Sequence, residues 1–164
     1  AYAVHHLTEE RVEIASLLAR CAQHGHADRA FVFGSTSKIT LAGAGVALFA
    51  ASEANVKWFL GRMGKRTIGS DKVNQLRHVR FFGSPEGLLA HMDLHRAILA
   101  PKFAAVADAF EQHLGGTGVA EWLVPKGGYF IGLDVMDGCA KALVATAKAA
   151  GVELTPAGAT HPLG

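Results

Sequence analysis

The chain has few of the residues that cross-link a protein or anchor it in a membrane. Its 164 residues include only two cysteines, Cys21 and Cys139, and both lie in apolar helical patterns. This placement predicts reduced thiols in a cytoplasmic protein and disfavours a disulfide. No apolar run approaches the roughly 18 to 20 residues that a membrane span requires. Low-complexity segments and internal repeats are also absent.

An excess of charge of one sign is lacking as well. Sixteen Lys and Arg against 14 Asp and Glu give a formal net charge of +2, and the basic residues form no stripe. Nucleic acid and anionic membranes are therefore not expected as partners. Apolar residues are abundant, because 50% of the chain is hydrophobic and 18% is charged. This balance predicts a packed globular protein containing one domain or parts of two.

The first half of the sequence predicts an α/β arrangement. Thr8 is a suitable N-cap for a helix that runs to about Gln23 and ends before Gly25. Two short apolar runs, 30–34 and 46–51, predict buried strands of a mostly parallel sheet, in which ligand sites commonly lie in loops at the strand ends. Ser52 is a second N-cap signal, and a polar loop is expected over 64–71.

The second half predicts a long helix followed by a smaller α+β region. Ser84-Pro-Glu86 is a helix start signal, and the helix should reach about His113 with a bend at Pro101. Beyond it, the pattern predicts a hairpin of 122–124 with 129–131, a helix over 137–150 and a strand over 152–155.

Lys38 is the most informative residue of the chain. It follows an apolar strand and lies in a hydroxyl-rich turn, within the run Phe-Val-Phe-Gly-Ser-Thr-Ser-Lys-Ile-Thr over 31–40. A buried or half-buried lysine loses solvation of its ammonium, which lowers its pKa and allows the amine to form a Schiff base. The hydroxyls of Ser35, Thr36 and Ser37 could hold a phosphate. Together these groups suggest pyridoxal phosphate, which needs one lysine and several phosphate donors.

Two other interpretations compete with this one. Taken alone, such a pattern is more often a loop with a solvated lysine, because lysine is mostly exposed in proteins. A nucleotide-binding P-loop is disfavoured by chemistry. That loop needs a glycine before its lysine and a hydroxyl directly after it, whereas here Ser37 precedes and Ile39 follows.

Several motifs, taken in order, resemble a known family. Tyr2, the Ser35-Thr-Ser-Lys38 turn, Ala42-Gly43 and Pro125-Lys-Gly-Gly-Tyr-Phe130 resemble the C-terminal half of a fold-type I, class I aminotransferase. The stretches 1–7, 37–46 and 155–160 resemble its bacterial aspartate aminotransferase-like subgroup. The resemblance implies that 1–83 is the end of a large, cofactor-binding α/β domain with a mostly parallel sheet. It implies that 84–164 is an incomplete, smaller α+β domain.

The resemblance also assigns roles to individual residues. Lys38 would form the Schiff base with pyridoxal phosphate and then shuttle a proton between substrate and cofactor. Ser35 and Ser37 would bind the phosphate, and the hydroxyl of Tyr2 would bond the ring oxygen of the cofactor. The pair Gly127-Gly128 would form a tight structural turn.

The sequence departs from the family in one place, and two further family residues fall outside it. Relatives carry a phosphate-binding arginine shortly after the lysine, where this chain has Gly45 and Val46. Lys65, Arg66 and Arg77 are candidate replacements. The aspartate that pairs with the pyridine nitrogen and the arginine that binds the substrate carboxylate would both lie outside the sequence. We therefore expect the chain to be part of a longer polypeptide and to be inactive alone.

The implied function is a pyridoxal-phosphate-dependent aminotransferase. It would move an amino group between an amino acid, with aspartate or glutamate favoured, and a 2-oxo acid, in a cytoplasmic homodimer with a shared active site. A lyase or decarboxylase on the same scaffold is an alternative, because the electron-sink chemistry belongs to the cofactor. A second alternative is the non-catalytic sensor domain of a transcription regulator.

Nine histidines raise the question of a metal site. His91 and His95 are four residues apart and could share a helical face. A metal site needs three or four converging ligands, and no acidic or cysteine partner is suitably spaced to complete one. We therefore expect no metal, and we expect these two histidines to lie on the surface.

Overall fold

The computed structural model describes residues 7–10 and 12–159. Two compact units divide the chain. The first comprises the residues up to Pro101 together with Lys126–Tyr129, and the second comprises Lys102–Pro125 together with the residues from Phe130 onward. The division therefore falls inside a helix and not near Gly83. The assignment of 1–83 and 84–164 to a large and a small domain stays a prediction.

Five α-helices and four strands make up the described part of the chain. The helices are α1 (Leu17–Gln23), α2 (Glu53–Met63), α3 (Lys72–Phe82), α4 (Pro85–Leu114) and α5 (Ala140–Ala149). The strands are β1 (Phe31–Ser35), β2 (Ala47–Ala51), β3 (Ala120–Trp122) and β4 (Leu133–Val135). The expected mixture of helices and strands is thus present. None of the described helices is both long enough and apolar enough to cross a membrane.

In the first unit, β1 and β2 form an antiparallel pair. Phe31 lies opposite Ala51, Phe33 opposite Phe49 and Ser35 opposite Ala47. A parallel connection needs a crossover of a dozen or more residues, usually a helix, and residues 36–46 contain no helix. The mostly parallel sheet of the large domain stays a prediction.

Several helix signals were read correctly, and others were not. Ser52 caps α2 by accepting a hydrogen bond from the Asn55 N–H, as predicted. α4 begins at Pro85, as predicted, and continues through Pro101. α1 is shorter than expected, because its N-cap is Ser16 and not Thr8. The Thr8 hydroxyl instead donates to the carbonyl of Glu10.

The second unit shows the predicted hairpin with displaced strands. β3 and β4 pair antiparallel, with Trp122 opposite Leu133, and a longer connection than expected joins them. α5 begins at Ala140, three residues later than predicted, after a turn with Gly138 at φ +78°. Residues 152–155 form no strand, so that prediction is wrong.

Hydrophobic residues are buried at only three described positions, namely Ala30, Ile39 and Met92. A cluster of aromatic rings joins the β1–β2 hairpin to α2. Phe49 lies 5.1 Å from Phe33 and 4.4 Å from Phe59, measured between ring centroids. These contacts fix α2 against the hairpin. They also place the end of β1, and with it the turn that follows, in a defined position.

Candidate active site

The predicted lysine turn follows directly from β1. After Ser35, the N–H groups of Ile39 and Thr40 both donate to the carbonyl of Thr36, at 3.0 and 2.9 Å. These bonds close a single tight turn over 36–40. Ile39 points inward and is 6% exposed, whereas the side chain of Lys38 is exposed. Because a tight turn directs neighbouring side chains to different sides, burial of Ile39 presents Lys38 outward.

The exposure of Lys38 differs from the burial that we expected for a reactive lysine. Within the described part of the chain, no carboxylate lies within salt-bridge distance of its ammonium. The ion pair on α4 joins Arg96 and Asp93 and does not involve Lys38. The backbone of Lys38 is held, because the Tyr129 hydroxyl donates to its carbonyl. The amine is thus accessible on a fixed backbone.

Ser35 and Ser37 come together as the sequence predicted. Their hydroxyl oxygens lie 2.7 Å apart, and the Ser37 N–H donates to Ser35 Oγ at 3.0 Å. Two hydroxyl groups carry two protons, and their mutual hydrogen bond uses one. Among the described residues the second proton meets no acceptor. This pair can therefore donate to an anion placed beside it.

Gly45 makes the closest backbone approach to this pair. A Cβ atom at Gly45 would lie 2.5 Å from Ser37 Oγ and 2.9 Å from both the N and Cα atoms of Ser37. Real carbon contacts are about 3.5 to 4.0 Å. Glycine permits such an approach because it has no side chain. The structure shows that the segment approached is the lysine turn itself.

A third polar group holds the turn from α3. His78 Nε2 lies 3.0 Å from Thr36 Oγ1 and 3.2 Å from Thr40 Oγ1. One helical turn earlier, the side-chain amide of Asn74 donates to the carbonyl of Ala44 at 2.8 Å. Neither residue was predicted to belong to the site, because no helix was predicted over 72–82. The signal was present, since Asp71 caps α3 and residues 74 and 78 share one helical face.

His91 and His95 are half-buried, so the prediction that they lie on the surface is wrong. His91 Nε2 lies 2.7 Å from the carbonyl of Ile39, and His95 Nε2 lies 3.1 Å from His91 Nε2. Burial, followed by the neighbouring charge of protonated His91, lowers the pKa of His95 below its usual value of 6.5. Across the described residues, no group of three or more His, Cys, Asp or Glu side chains could hold a metal ion.

A cavity of about 300 Å³ lies between the turn and these helices. Residues of three segments line it, namely Ile39, Thr40, Leu41 and Ala44 of the turn region, Arg77, His78 and Phe81 of α3, and His91 and His95 of α4. This arrangement separates the three candidate phosphate cations. Arg77 lines this cavity, which neither Ser35 nor Ser37 lines, whereas Arg66 lines a different depression with Phe31 and Trp58. Lys65 lines neither.

Tyr2, the Gly127-Gly128 turn and the two cysteines are the remaining residues that the sequence singled out. Tyr2 lies outside the described residues. Gly128 has a φ of +90°, which agrees with the tight turn predicted at this position. Cys21 and Cys139 are both half-buried free thiols.

Solved structures share this fold over almost the whole chain. An aspartate transaminase from Corynebacterium glutamicum superposes with a TM-score of 0.89 at 50% identity, over 99% of this chain and 38% of that one. The α-aminoadipate aminotransferase LysN of Thermus thermophilus, complexed with N-(5'-phosphopyridoxyl)-L-leucine, superposes with a TM-score of 0.74 at 21% identity, over 96% and 39% of the two chains. The second likeness concerns the fold alone. The fold is that of a segment of an aminotransferase.

The sequence comparisons give the family. A Mycolicibacterium smegmatis protein, named provisionally as an aminotransferase, is 53% identical over 162 residues. These residues are 99% of this chain and 38% of that protein, so the chain spans well under half the length of the curated relative. The sequence model described as aspartate amino-transferase matches residues 1–164, and the chain belongs to this family.

Proposed function

We propose that the protein containing this chain is a pyridoxal-phosphate-dependent aminotransferase. The observation that carries the proposal is the turn over 35–40. There an exposed lysine follows two serines whose hydroxyl groups are hydrogen-bonded to each other, on a backbone that is itself held by hydrogen bonds. Membership of the aspartate amino-transferase family over the full chain supports it.

The residues present suit this cofactor. Its aldehyde requires a primary amine, and Lys38 supplies one without a competing carboxylate among the described residues. Its phosphate requires hydrogen-bond donors and positive charge. Ser35 and Ser37 supply the donors. Arg77 lines the cavity that Ile39 and Thr40 share, which neither serine nor Lys38 lines, so we assign it no part in holding the phosphate.

The chemistry divides between cofactor and protein. When bound, pyridoxal phosphate supplies an aldehyde that bonds to amines and a ring that accepts electrons from the substrate carbon. Lys38 Nζ would hold the cofactor through its aldehyde and, as a free amine, would carry the proton between the substrate α-carbon and the cofactor. Ser35 and Ser37 would hold the phosphate, so that the amine and the substrate meet in a fixed position. Tyr2 is proposed to donate its hydroxyl hydrogen bond to the ring oxygen.

The finer assignments rest on the family. Aspartate and glutamate with their 2-oxo acids are the proposed substrates, and a relative 50% identical to this chain is named an aspartate transaminase. A homodimer with a shared active site and a cytoplasmic location are proposed on the same ground. The aspartate for the pyridine nitrogen and the arginine for the substrate carboxylate would come from outside the present sequence.

The test uses the full-length protein. Pyridoxal phosphate is added, the lysine linkage is reduced with borohydride, and the labelled peptide is mapped. We expect label on Lys38 in the wild type and none in Lys38→Ala, which should also lose transamination of aspartate with 2-oxoglutarate. Without this amine, both cofactor attachment and proton transfer lose their group.

Lys57→Ala is the matched control, because Lys57 is an exposed lysine of α2. It should keep both label and turnover. Transamination at a near-native rate in Lys38→Ala would overturn the proposed role of Lys38. Absence of label from every lysine of the wild type would overturn the cofactor assignment.

A further inference from the structure

The lysine turn is attached to the start of β2 through one residue. The Thr36 N–H donates to the carbonyl of Val46 at 2.9 Å, and the Val46 N–H donates back to Thr36 Oγ1 at 2.8 Å. Thr36 Oγ1 is thereby an acceptor for the backbone, and its own proton remains for another partner. That partner is His78 Nε2 at 3.0 Å.

The partners of His78 define which ring nitrogen carries the proton. His78 Nδ1 lies 2.9 Å from the carbonyl of Asn74, which can only accept, so Nδ1 is the donor. Nε2 is then the acceptor in the neutral ring, and it faces the hydroxyls of Thr36 and Thr40. The Thr40 hydroxyl donates to the Thr36 carbonyl, so the Thr36 hydroxyl is the donor to Nε2. His78 therefore links the backbone of α3 to the start of the lysine turn and contacts Thr40 at its end.

Asn74 extends the same attachment by one helical turn. Its side-chain amide donates to the carbonyl of Ala44 at 2.8 Å and reaches that of Gly45 at 3.4 Å. Gly45 in turn packs against Ser37. One face of α3 thus holds the lysine turn through His78 and the glycine segment behind it through Asn74.

α4 holds the residue that follows the lysine. The carbonyl of Ile39 can only accept, so His91 Nε2 donates to it at 2.7 Å. His95 Nε2, at 3.1 Å from the same nitrogen, faces that proton as a second acceptor. Ile39 is buried beneath this contact. The backbone is therefore fixed immediately before and immediately after Lys38, while its side chain stays exposed.

We propose that His78 and His91 are positioning residues, which clamp the lysine turn from α3 and α4 and so place Lys38 Nζ for its reaction. The inference rests on the proposed function for its kinetic consequence, but the clamp itself is a property of the protein without cofactor. A fixed backbone restricts the volume that the amine samples, and a misplacement of 1 Å in a reacting group can cost roughly a hundredfold in rate.

The first test replaces His78 with leucine, which is similar in bulk and cannot hydrogen bond. In the full-length protein without cofactor, amide hydrogen exchange of the peptide 31–46 should become about tenfold faster, as expected for loss of one or two hydrogen bonds. With cofactor, kcat should fall by about 10- to 100-fold while KM changes much less, because substrate binding is not addressed.

Two further variants separate positioning from general damage. His78→Gln keeps an acceptor at the end of the side chain and should recover most of the exchange protection and most of kcat. His113→Leu makes the same substitution at an exposed histidine at the end of α4 and should change neither. If His78→Leu does not fold, Thr40→Val replaces it, because valine has the shape of threonine and lacks the hydroxyl that donates to the Thr36 carbonyl and lies 3.2 Å from His78 Nε2.

The outcomes are distinct. Faster exchange at 31–46 with reduced kcat, recovered by His78→Gln, supports the clamp. Unchanged exchange and unchanged kcat in His78→Leu or Thr40→Val overturn it. A uniform loss of thermal stability, with normal kcat in the folded fraction, also overturns it, because the histidine would then be merely structural. A wild type that takes no label at Lys38 would sink the proposed function and leave the exchange result standing by itself.

Discussion

Gly45 provides a quantitative test of how the lysine turn is supported. A methyl group at this position would lie 2.5 Å from Ser37 Oγ and 2.9 Å from two backbone atoms of Ser37. Ordinary contacts need about 3.5 to 4.0 Å, so either Ser37 or the glycine segment must move by about 1 Å. A side-chain oxygen could rotate away, but the N and Cα atoms of Ser37 cannot move without moving the turn.

Two effects should follow from Gly45→Ala in the full-length protein. Overpacking of this kind costs about 1 to 3 kcal/mol, so the free energy of unfolding without cofactor should fall by that amount. A shift of Ser37 by about 1 Å would also break its 2.7 Å bond to Ser35 and displace the neighbouring Lys38. Borohydride-trapped label at Lys38 should therefore form more slowly, at a given cofactor concentration, than in the wild type.

Gly61→Ala is the matched control, since it adds the same methyl group in a different setting. Gly61 lies in α2, where an added Cβ meets nothing within 4 Å. Alanine is the better helix former, so this variant should be more stable by up to about 1 kcal/mol and should label normally. Urea denaturation followed by tryptophan fluorescence measures both variants. Equal stability and equal labelling of Gly45→Ala and wild type would refute the steric argument.

Two further predictions concern α4 and α2. Burial lowers the pKa of His95 in the folded protein below 6.5. Below pH 6.5 the unfolded state therefore binds more protons at this residue than the folded state does. The free energy of unfolding is thus highest above pH 6.5 and declines as the pH falls. Thermal midpoints measured between about pH 5 and pH 8 should therefore decline less steeply at the acidic end in His95→Gln than in wild type, and identical profiles would contradict this. Ser52→Ala removes the hydroxyl that accepts from the Asn55 N–H, and it should cost about 1 kcal/mol in urea denaturation. The exposed Ser70→Ala, which lies outside the helices, should be neutral; an equal loss in both variants would argue against the cap.

Local signals with a single physical cause were read correctly from the sequence. Ser52 and Ser84-Pro-Glu86 each offer an acceptor to exposed helix N–H groups, and both helices begin where these signals lie. The antiparallel pairing of β1 with β2 was not predicted, because apolar runs alone do not specify direction. The missing helix in 36–46 was the available clue, since a parallel crossover needs room that this segment lacks.

The site was predictable in part for a related reason. The Ser35 and Ser37 hydroxyls are neighbours in sequence, so the turn brings them together whatever the rest of the fold does. His78 and His91 reach the same turn across 42 and 52 positions of sequence, and only the packing of α3 and α4 places them there. α3 itself was missed because most of its residues are polar or charged, which is also typical of a loop. Its polar positions face the lysine turn, whereas a pattern search looks for an apolar stripe.

Burial of Ile39 beside an exposed Lys38 has a consequence for protein engineering. Ile39 is one of three buried hydrophobic residues among those described, and its carbonyl also accepts the His91 hydrogen bond. A mutational screen scored by growth or turnover would therefore register volume changes at Ile39 as losses of activity, although the side chain meets no substrate. Libraries designed to improve thermal tolerance should leave this position fixed, because a change of side-chain volume at Ile39 would also move the backbone next to Lys38.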